Sequence, residues 1–353
     1  MIRRRNAQAS AALAVLAALA SGPACAHVKW FADYDITKAP MPVGDVLGGA
    51  FTSCLLVSAA VVYLFFLVDR YLYRRAFLAG VDRRLRMYDG LSIVIVRLSA
   101  SVFFLSLWLW YLRGAPGIYL TPELKTTMNA VPWLHLVLGL CALLPFTTPV
   151  TGLGIFVLYA LAVREYGWYH LIDYLIFVGV GYFFMVASIE RGQWRKSGFV
   201  VLFACAGLTL MWAAAEKFGY PQWSYPLLEK NPAMLMGMSA DAYMVLAGFV
   251  EFSMAFVLLG AASVAGRFVA LGLQAVCMLA VLRFGLIDAV GHLMIIATLF
   301  VLVLPGPIIA QETLVLRGKS VWIEASFMTG LYVLALVTTF ILYYSLHRVA
   351  YGT

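Results

Sequence analysis

Residues 47 to 68 read LGGAFTSCLLVSAAVVYLFFLV, 22 residues without a charged side chain. An α-helix needs about 20 apolar residues to cross the roughly 30 Å hydrocarbon core of a bilayer, so this stretch reads as a membrane span. Runs of the same kind follow at 91–112, 132–148, 149–163, 169–188, 198–215, 242–262, 267–284, 289–305 and 322–345. The sequence therefore predicts an all-α, polytopic transmembrane helical bundle of about ten spans. The third and fourth spans are short and flank Pro145 and Pro149, which leaves a re-entrant hairpin open as their arrangement. Composition agrees with a membrane protein: of 353 residues, 63% are hydrophobic and 12% charged, with a mean hydropathy of +0.91. Soluble domains carry about 25% charged residues, so a soluble enzyme is excluded.

The N-terminus predicts a secretory signal at residues 1–26. Arg3, Arg4 and Arg5 precede the apolar stretch from Ala11 to Ala20, and Ala24-Cys25-Ala26 is a small-x-small cleavage pattern. The mature chain would begin at His27, with a periplasmic segment over 27–46. Loss of the three arginines lowers the net charge from +8 to +5, read as topological signal rather than a nucleic-acid surface. Cys54, Cys141, Cys205 and Cys277 fall inside apolar runs, and read as small hydrophobes rather than disulfide or metal-thiolate groups.

Basic residues set the expected orientation. Arg70, Arg74, Arg75, Arg83, Arg84 and Arg86 follow the first span, within a unit at 47–90, and Arg191, Arg195 and Lys196 follow the fifth. With Arg267, Arg317 and Lys319 they place 12 basic residues inside against nine outside, as the positive-inside rule requires. Arg97, about two turns into the second span, is near enough to that face to snorkel. The implied location is a bacterial inner membrane, with the bilayer as one partner and residues 306–353 as a cytosolic loop and last span.

Two segments share a pattern. Arg164-Glu-Tyr-Gly-Trp-Tyr-His170-Leu-Ile-Asp173 and Arg283-Phe-Gly-Leu-Ile-Asp288-Ala-Val-Gly-His292 each precede an apolar helix. They mark a parallel repeat of two four-helix units, 91–188 and 198–305.

On this topology all five histidines, His27, His135, His170, His292 and His347, fall on the outer side. Asp173 and Asp288 share helix faces with His170 and His292. Glu251 lies deeper in the seventh span, and Glu216 with Lys217 closes the sixth. An ionisable group in hydrocarbon is costly and faces a bundle interior or wet cavity, which makes Glu251 a site candidate. Three readings stay open. The groups are structural hydrogen-bond partners; or they serve as proton acceptors and donors for a quinone; or His135, His170 and His292 bind copper or zinc, with His27 chelating copper through its amino group. Val28-Lys29-Trp30-Phe31 reads as an interfacial segment. The loop from Glu216 to Asp241 carries Met234, Met236 and Met238, either gap fillers or soft Cu(I) ligands. Nucleotide-hydrolase, serine-hydrolase and zinc-hydrolase motifs are missing, and the histidines lack the paired spacing of a bis-His haem site.

The stretch Trp212-Ala-Ala-Ala-Glu216-Lys217, with Gly248-Phe-Val-Glu251 and Asp288-Ala-Val-Gly-His292, resembles the DoxX/DoxD superfamily of four-helix membrane proteins over residues 198–305. A diverged copy over 91–188 has the region of His135 in place of Gly-x-x-Glu. The resemblance implies two tandem four-helix units. It also implies a redox setting, since some relatives are small subunits of membrane thiosulfate:quinone oxidoreductases and others accompany thiol-stress systems. The expected function is a redox-associated component with a polar periplasmic site, interacting with quinone within a larger complex. A copper-handling protein and a non-catalytic assembly subunit are the alternatives.

Overall fold

The structure is a computed structural model that describes Lys29 and residues 34–187, 189, 192–316 and 318–352. The predicted signal segment and His27 lie outside the described residues. Nine apolar helices among the described residues are long enough to cross a membrane. They are α1 (Gly49–Tyr73), α2 (Leu91–Leu112), α4 (Pro145–Tyr166), α5 (Trp168–Ala187), α6 (Gly192–Gly219), α7 (Ala240–Gly260), α8 (Val264–Phe284), α9 (Leu286–Val303) and α10 (Val321–Tyr351). The tenth, α3 (Val131–Leu143), has only 13 residues. This is a multi-pass membrane protein.

The fourth span is longer than its sequence suggested, because prolines are tolerated in a helix's first turn, where the amide hydrogen is unpaired anyway. Pro145 and Pro149 therefore open α4 instead of breaking it. The third stays short, and Arg97 meets its end. That side chain does not snorkel away: its Nε donates to the Ala142 carbonyl at 2.9 Å and Nη2 donates to the Leu143 carbonyl, satisfying the orphan acceptors at the end of α3.

Helix packing forms a closed ring: α2 lies on α3, α3 on α4, α4 on α5, α5 on α6, α6 on α7, α7 on α8, α8 on α9, and α9 returns to α2. Helices α1 and α10 pack on each other, and α1 also packs on α7. The turns α4–α5 and α8–α9 both pass through a glycine at positive φ, Gly167 (84°) and Gly285 (82°), a backbone shape that side chains disfavour. Between α2 and α3, strands β1 (Ile118–Tyr119) and β2 (Lys125–Thr126) pair antiparallel. The Tyr166 hydroxyl ties this hairpin to α4 by accepting from the Lys125 amide at 2.8 Å and donating to its carbonyl at 2.7 Å.

The ends of α1 and α10 also differ from the sequence reading. Helix α1 continues past 68 to Tyr73, so Arg70 is a fully buried helix residue rather than a loop charge. It pairs with Asp69 and, at 3.2 Å, with Glu324, and donates to the Gly260 carbonyl at 3.1 Å. Asp69 accepts from the Ala262 and Ser263 amides at 2.9 Å each, pinning the start of α8. Arg267 is likewise buried, donating to the Val303 carbonyl at 2.7 Å and pairing with Asp82. Helix α10 runs beyond 345 to Tyr351, so His347 lies within it and is buried.

Candidate functional site

Helix direction brings His135, His170, His292 and His347 to one end of the bundle, opposite the arginines of 70–86. At this histidine end, residues from six segments converge. The Leu120–Leu124 turn holds Glu123, because the Thr121 hydroxyl accepts from the Leu124 amide at 3.1 Å and the Leu120 amide donates to the Leu124 carbonyl at 2.7 Å. The buried Glu123 carboxylate accepts from the hydroxyls of Tyr34 and Tyr174, and lies 3.0 Å from Nε2 of buried His170.

Beside it sits the residue that sequence reasoning missed most completely. Lys29, read as part of an interfacial segment, buries its ammonium between Glu216 Oε1 at 2.6 Å and Asp173 Oδ2 at 3.1 Å. The rings of Tyr34 and Trp223 lie 5.5 and 5.7 Å from it, within cation–π range. Burial by itself would lower its pKa, but Asp173, Glu216 and Glu123 outweigh that and hold it above the ordinary lysine value. Tyr34 is also raised, by burial first and then by the charge of Glu123, so it stays a neutral donor.

Glu216 is buried within α6 rather than exposed at the surface. Its neighbour Lys217 points the other way, to Glu251 Oε2 at 2.7 Å. Gly248 makes that contact reachable: a Cβ there would stand 2.6 Å from the Phe218 ring, so glycine lets α7 lie close against α6. The other oxygen of Glu251, Oε1, is buried without a hydrogen-bond partner, and Glu251 lies within electrostatic range of His292 and Asp173. His292 Nδ1 is 3.2 Å from Asp288 Oδ2 and 3.3 Å from the Asp288 carbonyl. A carbonyl only accepts, so Nδ1 carries the hydrogen. Cys277 lies within electrostatic range of the same imidazole.

The charge balance of this end is unusual. Among the described residues, five buried carboxyls, Glu123, Asp173, Glu216, Glu251 and Asp288, share this end with two ammonium groups, Lys29 and Lys217.

The remaining candidates lie apart from this network. His135 stacks on Phe104 with centroids 5.7 Å apart, and its Nε2 has no hydrogen-bond partner. His347 Nε2 contacts the Ile36 carbonyl at 2.9 Å and Tyr220 Oη at 2.8 Å, which makes it a donor clamping the chain segment before α1. Among the described residues no three His, Cys, Asp or Glu groups are gathered as metal ligands, so His135, His170 and His292 do not form one metal centre. The methionines also divide: Met234 and Met238 pack around Leu228 and Tyr243, whereas Met236 is exposed.

An apolar pocket opens next to Glu123. Phe103, Phe104, Leu120, Leu171, Tyr174 and Phe177 line it. Tyr174 belongs to both places, with its ring in the pocket wall and its hydroxyl on Glu123. Comparison with protein-family models, with curated proteins and with solved structures gives no match.

Proposed function

We propose that the chain is a redox-associated membrane protein in which Glu123 and His170 accept a proton, relayed by the Tyr174 hydroxyl, from a quinol seated in the adjoining apolar pocket. The observation that carries this reading is Tyr174, which joins an aromatic-walled pocket to a buried carboxylate. Ligand pockets for ring compounds combine apolar walls with a few polar groups. A quinol that gives its electrons to a redox partner must also release hydroxyl protons, and a nearby base speeds that release. His170, 3.0 Å from the same carboxylate, offers a next stop for the proton.

The same reading takes the histidine end as the periplasmic face of a bacterial inner membrane, exposed to a partner complex, with residues 1–26 removed as a signal. The arginine-rich opposite end supports that orientation. A pair of DoxX-like units is supported by the like geometry of Gly167 and Gly285 and by the closed ring of helices.

The test is direct. Purified protein in nanodiscs should bind a ubiquinone or menaquinone analogue and alter quinone reduction in membranes, and Glu123→Gln should slow that reaction by about 100-fold. Protein that neither binds quinone nor changes its reduction refutes the proposal.

A further inference from the structure

The surroundings of Lys29 constitute a recognition site in their own right. Two carboxylate oxygens approach one nitrogen at 2.6 and 3.1 Å, and two aromatic rings, Tyr34 and Trp223, lie 5.5 and 5.7 Å from the same nitrogen. Trp223 is fixed in turn by stacking on Tyr220, centroids 4.1 Å apart and planes 5° from parallel. Tyr220 is held by its hydroxyl, which donates to the Lys38 carbonyl at 2.6 Å. Asp173 and Glu216 come from α5 and α6, and both are buried. Asp173, Glu216 and the braced Trp223 thus form a fixed wall, while Lys29 and Tyr34 arrive from the chain before the first of the ten helices.

Such a site is selective by its chemistry. Short contacts to two carboxylates need N–H donors, so a primary ammonium satisfies them. A quaternary ammonium has no N–H to give and would be left with the rings alone.

We propose that the Asp173–Glu216–Tyr34–Trp223 cage is a binding site for a primary ammonium group, that Lys29 is its tethered internal occupant, and that the external ligand class it takes is a small primary amine. The amine is either free in solution or carried on an aminolipid headgroup. This inference is independent of the quinol reading, because it requires no electron transfer and is measured without quinone.

The experiment empties the cage and refills it. Lys29→Ala, purified in detergent, should regain thermal stability on addition of methylammonium chloride, with a midpoint that climbs by roughly 3 °C for each tenfold rise in amine once the cage is half filled. Tetramethylammonium chloride at equal ionic strength should do nothing, the unsubstituted protein should not respond, and adding Asp173→Asn should abolish the response. If Lys29→Ala survives only when extracted with methylammonium and not with tetramethylammonium, that recovery is the same support. Nanodiscs separate the sources: stabilisation by phosphatidylethanolamine over phosphatidylcholine, without added amine, assigns the headgroup, and stabilisation by methylammonium alone assigns a soluble amine. Equal responses to the primary and quaternary salts, or no response and no recovery with either, would overturn the proposal and leave Lys29 a structural clamp.

Discussion

Glu216 and Lys217 are consecutive on α6, yet they serve opposite halves of the histidine end: Glu216 takes the Lys29 ammonium at 2.6 Å, and Lys217 gives its own to Glu251 at 2.7 Å. Successive residues on a helix point about 100° apart, so one turn of α6 can feed two clusters. Breaking either link should therefore be felt separately. Lys217→Ala leaves the buried Glu251 carboxylate without its cation and should cost about 3–5 kcal/mol. Glu251→Gln, which removes the charge instead, should cost less. A double-mutant cycle on detergent-solubilised protein should give a coupling of about 1–3 kcal/mol; additive effects would show that the pair contributes nothing.

Tyr174→Phe separates the two roles of that residue. The ring stays in the pocket wall and the hydrogen bond to Glu123 is lost. Quinone-analogue affinity should stay within about threefold, whereas the quinol-linked rate should fall about tenfold or more. A matching loss of affinity would show that the hydroxyl serves binding instead.

The pH response follows from two raised groups. Lys29 and Tyr34 both bind their protons more tightly folded than unfolded. Their contribution is fully present below the unfolded values of about 10.4 and 10, and it is lost as pH rises through the higher folded values. The thermal midpoint should show no loss from these groups between pH 7 and 9 and should decline above about pH 10. In Lys29→Ala with Tyr34→Phe that alkaline decline should be shallower, and an identical decline would remove these groups as its cause.

Gly248→Ala tests the approach of α7 to α6. The new methyl would meet the Phe218 ring at 2.6 Å, and that ring is packed against Phe51, Phe249 and Phe340. Overpacking of this kind costs about 1–3 kcal/mol, which thermal unfolding would register. A neutral result would mean that the helices part without penalty.

At the arginine end, Arg70→Met should be as damaging as any change in the protein. It strips Asp69 and Glu324 of a fully buried partner, at about 3–5 kcal/mol. Adding Glu324→Leu removes part of the stranded charge and should recover part of the folded yield.

The helices were legible in the sequence because hydrocarbon imposes one rule along the whole chain: an apolar run long enough to span. Glu251, Asp173, Asp288 and their histidines were legible for the converse reason, as ionisable groups where few are tolerated. Glu123 was not, since an acid in a polar loop is ordinary until the loop folds under Tyr34 and Tyr174. Lys29 was not, because a lysine beside Trp30 and Phe31 is the usual dress of a membrane interface. Arg70 and Arg267 were counted with the loop charges, since a basic residue at a helix end gives no sign of whether its carboxylate partner lies on a distant segment. Asp69, the first residue past the apolar run, was the one hint that this arginine had a partner beside it.

The short third helix has a consequence for the membrane itself. At 1.5 Å per residue, 13 residues reach about 20 Å, against a hydrocarbon thickness of about 30 Å. By itself α3 therefore leaves about 10 Å of that depth without an apolar wall, a notch at the end that Arg97 holds. A bilayer meeting such a notch thins or draws its phosphates inward to the guanidinium. A dimple of that kind would favour membranes, or neighbours, of matching local thickness.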